Sequence, residues 1–175
     1  PESTVLVECT PLPLAARAHY YRDGIQIITP SVRRVAPEMA SPRAKTHNYL
    51  NFVMGDLEVQ SQNPDALAVL LDKNGNLAEG KGSNIFVIRN QKLITPKEKY
   101  VLPGVSREVT MNLATELGYE IEEDDIDLFD AYNADELFIT STSFCICPVQ
   151  SINGRLPSAD GVPGPITRKL INAYV

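Results

Sequence analysis

Ala66-Leu-Ala-Val-Leu-Leu71, Asp72-Lys-Asn-Gly-Asn76, Leu77-Ala-Glu79, then Asn84-Ile-Phe-Val-Ile-Arg89, Asn90-Gln91 and Lys92-Leu-Ile-Thr95: in these stretches short apolar runs alternate with turn residues. The first run is continuous and apolar, as a buried strand is. Asn74-Gly75 is a dipeptide that tolerates positive φ at both central positions of a tight hairpin. Asn90-Gln91 marks a second reversal. Short antiparallel strands in such close succession suggest a sheet that curls on itself. The expected class is α/β (α+β): a curled, largely antiparallel sheet, or pseudo-barrel, with packed helices.

Toward the N-terminus, residues 4–9 read as a first strand, closed by Pro11 and Pro13. Residues 14–22 suit a short helix, Asp23-Gly24 a turn, and 25–29 a second strand. Residues 31–36 alternate like an edge strand. Pro37 and Pro42 bound a loop leading to Lys45. A helix is expected over 47–61, with Leu50, Phe52, Val53 and Leu57 seating it on the core. Asn63-Pro64-Asp65 ends it.

Toward the C-terminus, 96–103 is a loop and 106–117 an amphipathic helix, with Val109, Leu113 and Leu117 on one face and Gly118 at C′. Residues 119–122 look like a strand, and the acidic stretch 122–130 like a solvated helix start. Residues 136–140 form a strand leading into Ser141-Thr142-Ser143. Another strand covers 146–152, with a tight turn at Asn153-Gly154. Gly164-Pro165 opens a last helix through Ala173.

The chain has 175 residues, 43% hydrophobic and 22% charged, enough for one domain with a real core. Net charge is −6 and no stretch is rich in lysine or arginine, so nucleic acid is not an expected partner. No apolar run reaches membrane-spanning length, and the start does not resemble a signal peptide, so no membrane association is expected. Cys145-Ile-Cys147 has the wrong spacing for a zinc knuckle. With Cys9 it makes an odd count, and buried reduced thiols in a cytoplasmic protein are expected. The chain starts at Pro1 without an initiator methionine, which suggests a fragment or a processed chain.

Chemistry gathers at four places. Lys45 stands among Asn48, Tyr49 and Asn51, polar groups that could hold a ligand. An isolated lysine before a surface helix is ordinary. A lysine that attacks a carbonyl must be neutral, which needs burial or a cationic neighbour. Gly104-Val105-Ser106-Arg107 lies where a loop becomes a helix, whose first N–H groups and dipole suit a phosphate; Ser106 could equally be a plain N-cap. Hydroxyls at Ser141-Thr142-Ser143 close a strand and can bind phosphate or simply end it. Glu79-Gly-Lys-Gly-Ser-Asn84 fits neither a dinucleotide fingerprint nor a P-loop. It places at a strand end a carboxylate that needs a partner, such as a protonated pyridine nitrogen.

Four motifs occur in order: Lys-x-x-Asn-Tyr-Leu from Lys45, Glu-Gly-x-Gly-x-Asn-Ile-Phe from Glu79, Leu-Pro-Gly-Val-Ser-Arg from Leu102, and Thr140-Ser-Thr followed by Pro148-Val149. Jointly they resemble the larger, C-terminal domain of fold-type IV pyridoxal-phosphate enzymes: branched-chain and D-amino acid aminotransferases, (R)-selective amine transaminases and aminodeoxychorismate lyases. The resemblance implies pyridoxal 5′-phosphate as cofactor. It matches Lys45 to the Schiff-base lysine that also shuttles the proton, Glu79 to the carboxylate on the pyridine nitrogen and Tyr49 to the phenol on O3′. Val105 and Ser106 match the phosphate-binding amides, Thr142 a hydroxyl there, and Leu102 the side chain packed on the ring. Asn84 takes a supporting role. Residues 1–175 would then be the large domain, without the smaller N-terminal domain that supplies an arginine and much of the substrate pocket. The implied activity is transamination between an amino donor, with L-branched-chain amino acids favoured, and a 2-oxo acid such as 2-oxoglutarate, in a homodimer. D-amino acid or (R)-amine transamination, the lyase reaction, and a catalytically silent cofactor-binding fragment are the alternatives. Thr142, Ser143 and Phe144 are expected to face the substrate.

Overall fold

Asn74-Gly75 turns the chain as its composition demands. Leu67–Leu71 (β2) pairs antiparallel with Leu77–Gly80 (β3), and Gly75 takes a φ of +93°. The second reversal is tighter than this five-residue connection: Asn90 and Gln91 both have positive φ, 51° and 65°, as a two-residue hairpin requires. They join Ser83–Arg89 (β4) to Lys92–Pro96 (β5). The molecule is a computed structural model that describes residues 4–175.

The remaining strands are Ile25–Ile28 (β1), Ile121–Asp124 (β6), Glu136–Ser141 (β7) and Cys145–Ile152 (β8). The sheet runs β3-β2-β1-β8-β7-β4-β5-β6, and β3 also pairs with β4. That last pairing closes six strands into a barrel, with β5 and β6 as an extension. One edge of β4 is divided. Ser83 and Asn84 pair with β3, whereas Val87 to Arg89 pair with β5. Among the described strands three pairings are parallel: β1–β2, β1–β8 and β5–β6. Two of them follow from crossovers: Leu50–Gln62 (α2) carries the chain from β1 to β2, and Val105–Glu116 (α3) carries it from β5 to β6.

Side-chain alternation divides the core. Val69, Leu71, Ile85, Val87, Leu137, Ile139, Cys147 and Val149 fill the barrel interior. Their neighbours Phe86, Ile88, Phe138 and Ile146 point outward beneath α3 and Pro165–Tyr174 (α5). Phe86 and Phe138 are register partners and stack at 4.8 Å between ring centroids. Ala68 and Leu70 receive α2. The other helices are Leu14–Asp23 (α1) and the single turn Leu128–Tyr132 (α4), capped by Asp127.

Several expectations need correction. Residues 4–9 form no strand; Val5, Leu6 and Val7 are exposed and nothing pairs with them among the described residues. Residues 31–36 contribute one isolated bridge, Arg33 to Leu71, not an edge strand. Helix α2 starts at Leu50, because His47 at φ +60° cannot continue a right-handed helix. It seats through Phe52, Gly55 and Val59, leaving Leu50, Val53 and Leu57 exposed. Gly55 decides this: a Cβ there would stand 3.1 Å from Pro30 Cγ and 3.2 Å from Leu70 Cδ1, so the bare backbone makes the close approach. Helix α3 buries Ser106, Arg107, Thr110 and Ala114, while Val109 and Leu117 are exposed and Leu113 is half-buried. Its polar inner side chains are satisfied locally: Arg107 pairs with Glu123 at 3.0 Å, and Thr110 Oγ1 donates to the Ser106 carbonyl at 2.8 Å.

Candidate active site

Glu79 comes from β3, near the end where the chain turns into β4, and is buried. Its Oε1 accepts from Arg34 Nε at 2.8 Å and its Oε2 from the Leu102 N–H at 2.9 Å. Burial raises its carboxyl above the ordinary range; the Leu102 N–H, Arg34 and Lys45 pull the other way and only partly offset it. Arg34 is the residue that sequence reasoning missed. A buried carboxylate needs a partner, and Arg33-Arg34 stood as unassigned cations, although 45 residues separate Arg34 from Glu79. The Arg34 guanidinium also lies 4.8 Å above the Phe52 ring centroid, which joins α2 to the same cluster.

Lys45 lies in the loop before α2 and is exposed. The burial expected of it is therefore not provided by these residues, although cationic Arg43 and Lys81 line the same cavity. Tyr49 is half-buried at the N-cap of α2, its ring centroid 6.0 Å from that of Phe52. Asn48 joins it at the cavity wall. Asn51 does not: its Nδ2 donates to the Arg33 carbonyl at 3.0 Å.

Helix α3 has Gly104 at its N-cap and no side chain capping it, so the first N–H groups are open to a ligand. Val105 and Ser106 are its first two residues. Ser106 is buried, and its Oγ accepts from the Tyr174 hydroxyl at 3.0 Å, a contact from α5 that sequence gave no sign of. Leu102 is half-buried on the approach to this helix.

Strand β7 delivers Thr140 and Ser141, and Thr142 follows in the turn. Thr140 is 1% exposed and its Oγ1 has no hydrogen-bond partner. Such a group is rare without a ligand or water to receive it. Ser143 and Phe144, expected at the substrate, do not line the cavity described below, although the Ser143 Oγ lies 3.4 Å from that of Ser141, which does. Arg17 of α1 donates to the Ser143 carbonyl at 3.3 Å and sits 4.4 Å over the Phe144 ring.

All seven residues that the motifs singled out, Lys45, Tyr49, Glu79, Leu102, Val105, Ser106 and Thr142, line one cavity of about 340 Å³. Arg34, Asn84 and Thr140 line it too. Glu79 is the sole carboxylate among the described lining residues, against Arg34, Arg43, Lys45 and Lys81. In a chain of net charge −6 this is a local reversal of sign. Such a site favours an anionic ligand, offering an amine near one wall, a buried carboxylate at another, a phenol, and a helix N-terminus for a phosphate. No group of His, Cys, Asp and Glu able to hold a metal occurs among the described residues. Among the described residues no helix is long and apolar enough to cross a membrane.

Residues 1–152 match the family model described as amino-transferase class IV. A relative from Methanocaldococcus jannaschii is 44% identical over 149 residues, covering 85% of this chain and 51% of that one. A branched-chain-amino-acid aminotransferase of Pseudomonas aeruginosa is 36% identical over 154 residues, covering 87% of this chain and 50% of that one. The crystal structure of the branched-chain amino acid aminotransferase from Thermobaculum terrenum in its PLP-form superposes with a TM-score of 0.82 at 35% identity. It covers 90% of this chain and 52% of that one. The chain thus spans about half the length of the relatives it matches.

Proposed function

Because the chain belongs to the amino-transferase class IV family, we propose that these residues are the large, C-terminal domain of a pyridoxal-phosphate-dependent aminotransferase. The observation that carries this reading is the convergence of Lys45, Tyr49, Glu79 and the open N-terminus of α3 on one cavity. The donor set fits the cofactor. The uncapped helix terminus and the unpartnered Thr140 hydroxyl suit its phosphate, and the buried Glu79 suits its ring nitrogen.

When bound, the cofactor supplies an aldehyde for amino groups and an electron sink for the α-carbon. The protein does the rest. Val105 and Ser106 N–H groups and Thr142 bind the phosphate, which orients the ring. Leu102 would pack on the ring, and Tyr49 would hydrogen-bond its phenolic oxygen. Glu79, anchored by Arg34, would keep the ring nitrogen protonated. Lys45 Nζ would be the amine that meets the aldehyde and the base that moves the substrate's α-proton.

The substrates are an L-branched-chain amino acid and a 2-oxo acid such as 2-oxoglutarate; the Pseudomonas relative's name supports the first. The assembly is a homodimer, and a smaller N-terminal domain completes the substrate pocket. The exposure of Lys45 favours a second reading for residues 1–175 alone, as a cofactor-binding unit without turnover. The test is to add pyridoxal 5′-phosphate to the purified protein. Yellow absorbance and a borohydride-fixed adduct on Lys45, both lost in Lys45→Ala, are expected. Their absence overturns the site. Half-reactions with leucine, D-alanine and (R)-1-phenylethylamine rank the donors, and a preference for either of the last two overturns the branched-chain assignment.

A further inference from the structure

Glu79 and Asn84 face each other across β3 and β4, and both side chains reach the same residue on another segment. Glu79 Oε2 accepts the Leu102 N–H at 2.9 Å, and Asn84 Nδ2 donates to the Leu102 carbonyl at 3.0 Å. Both hydrogen-bonding groups of Leu102 are thereby held by one rung of the barrel. Leu102, Pro103 and Gly104 have no regular structure of their own, and Pro103 has no N–H to offer. Asn84 is buried, and its Oδ1 lies where a Cβ on Gly104 would have to stand. Gly104 is the N-cap of α3. One amide thus fixes the loop twice, by a hydrogen bond at Leu102 and by contact at the N-cap.

We propose that Asn84 is a positioning residue that sets the distance between the Glu79 carboxylate and the anion-binding N-terminus of α3. The inference rests on the function proposed above. A ligand with a ring nitrogen at one end and a phosphate at the other measures that distance. A ligand without the phosphate does not. Aspartate would set a carboxylate against the Leu102 carbonyl, close to Glu79, and alanine would leave that carbonyl unpaired.

The test compares pyridoxal 5′-phosphate with pyridoxal, which lacks the phosphate, by absorbance titration of the intact polypeptide that carries these residues. The wild type binds the phosphorylated form more tightly. Asn84→Ala and Asn84→Asp each weaken that form about tenfold, the scale of one buried hydrogen bond and its stranded partner, and pyridoxal less than about threefold. Either variant alone reports the ratio if the other fails to fold. Gly104→Ala weakens the phosphorylated form as well. Its effect shrinks when combined with Asn84→Ala, since the two residues touch. A variant that keeps the wild-type ratio, whether both affinities hold or fall together, overturns the inference and leaves the cofactor reading intact. A wild type without preference between the two ligands overturns that reading, and the inference with it.

Discussion

Arg34 Nε and Glu79 Oε1 form an ion pair at 2.8 Å in which the side chains are 12% and 6% exposed. The pair joins the loop before α2 to β3 at the base of the cavity. Removing one partner of a buried pair strands the other charge. Arg34→Ala is therefore expected to cost about 3–5 kcal/mol in urea unfolding. Arg34→Lys should recover only part of this, since an ammonium lacks the guanidinium fork and stacks less well on Phe52. A loss below about 0.5 kcal/mol, the scale of an ordinary surface change, would contradict the buried pair.

Glu79 also gives a pH signature. Burial holds its carboxyl above the ordinary 4.5, so the fold binds that proton more readily than the unfolded chain does. The resulting stabilisation is fully present below 4.5 and is lost as pH rises through the folded value. Melting curves of wild type and Glu79→Gln between neutral pH and about 4.5 should diverge in favour of the wild type as pH falls. A difference that shrinks on acidification refutes the raised carboxyl.

The strands were legible because their signals are local. Asn90-Gln91 carries its turn geometry in two residues and 72–76 in five, with Gly75 at positive φ and Asp72 holding the turn, and the apolar runs beside them needed no distant information. The gathering of the motif residues at one cavity was legible through the joint order of the motifs, not through any one element. Helix faces were not. Leu50, Val53 and Leu57 promise a packed face as strongly as Phe52 does, and the choice was made by Gly55 against Pro30 and Leu70, a fit invisible in one dimension. Arg34 and Tyr174 escaped because their partners lie 45 and 68 residues away. Residues 4–9 carry strand composition with no strand beside them among the described residues.

Glu136 caps α5 from another element. Its Oε1 accepts the Ile166 N–H at 2.9 Å and its Oε2 the Thr167 N–H at 2.8 Å. Gly164 at the N-cap leaves room for this carboxylate, where any Cβ would collide with it. Glu136→Ala should cost about 1.5–3 kcal/mol, the range for hydrogen bonds to a charged group. Gly164→Ala should act in the same direction. Hydrogen exchange should locate the loss in α5. Because α5 carries Tyr174 to Ser106, cofactor affinity should fall with it.

The cysteines separate by burial. Cys9 is exposed, Cys145 half-buried, and Cys147 buried in the barrel, where desolvation pushes its thiol up to about 12. Expecting both strand cysteines to be buried was thus right for one of them. A thiol reagent at pH 8 should modify Cys9 quickly and Cys147 only on unfolding, because the thiolate is the reactive form. Fast labelling of Cys147 in the native state, seen by peptide mass mapping, would contradict its burial.

Leu50, Val53, Met54 and Leu57 repeat at the spacing of one helix face and are 69%, 39%, 51% and 63% exposed on α2. The opposite face of α2 already packs on β2 through Phe52, Gly55 and Val59. A contiguous apolar stripe on a surface helix marks a contact with another surface. The homodimer proposed above predicts that the partner copy covers this stripe. Charges there would have to be buried unpaired, which association does not tolerate. Val53→Glu with Leu57→Glu should therefore shift the protein's mass in light scattering toward that of one protomer, with its circular dichroism unchanged. A variant that retains the wild-type dimer mass would remove α2 from the interface.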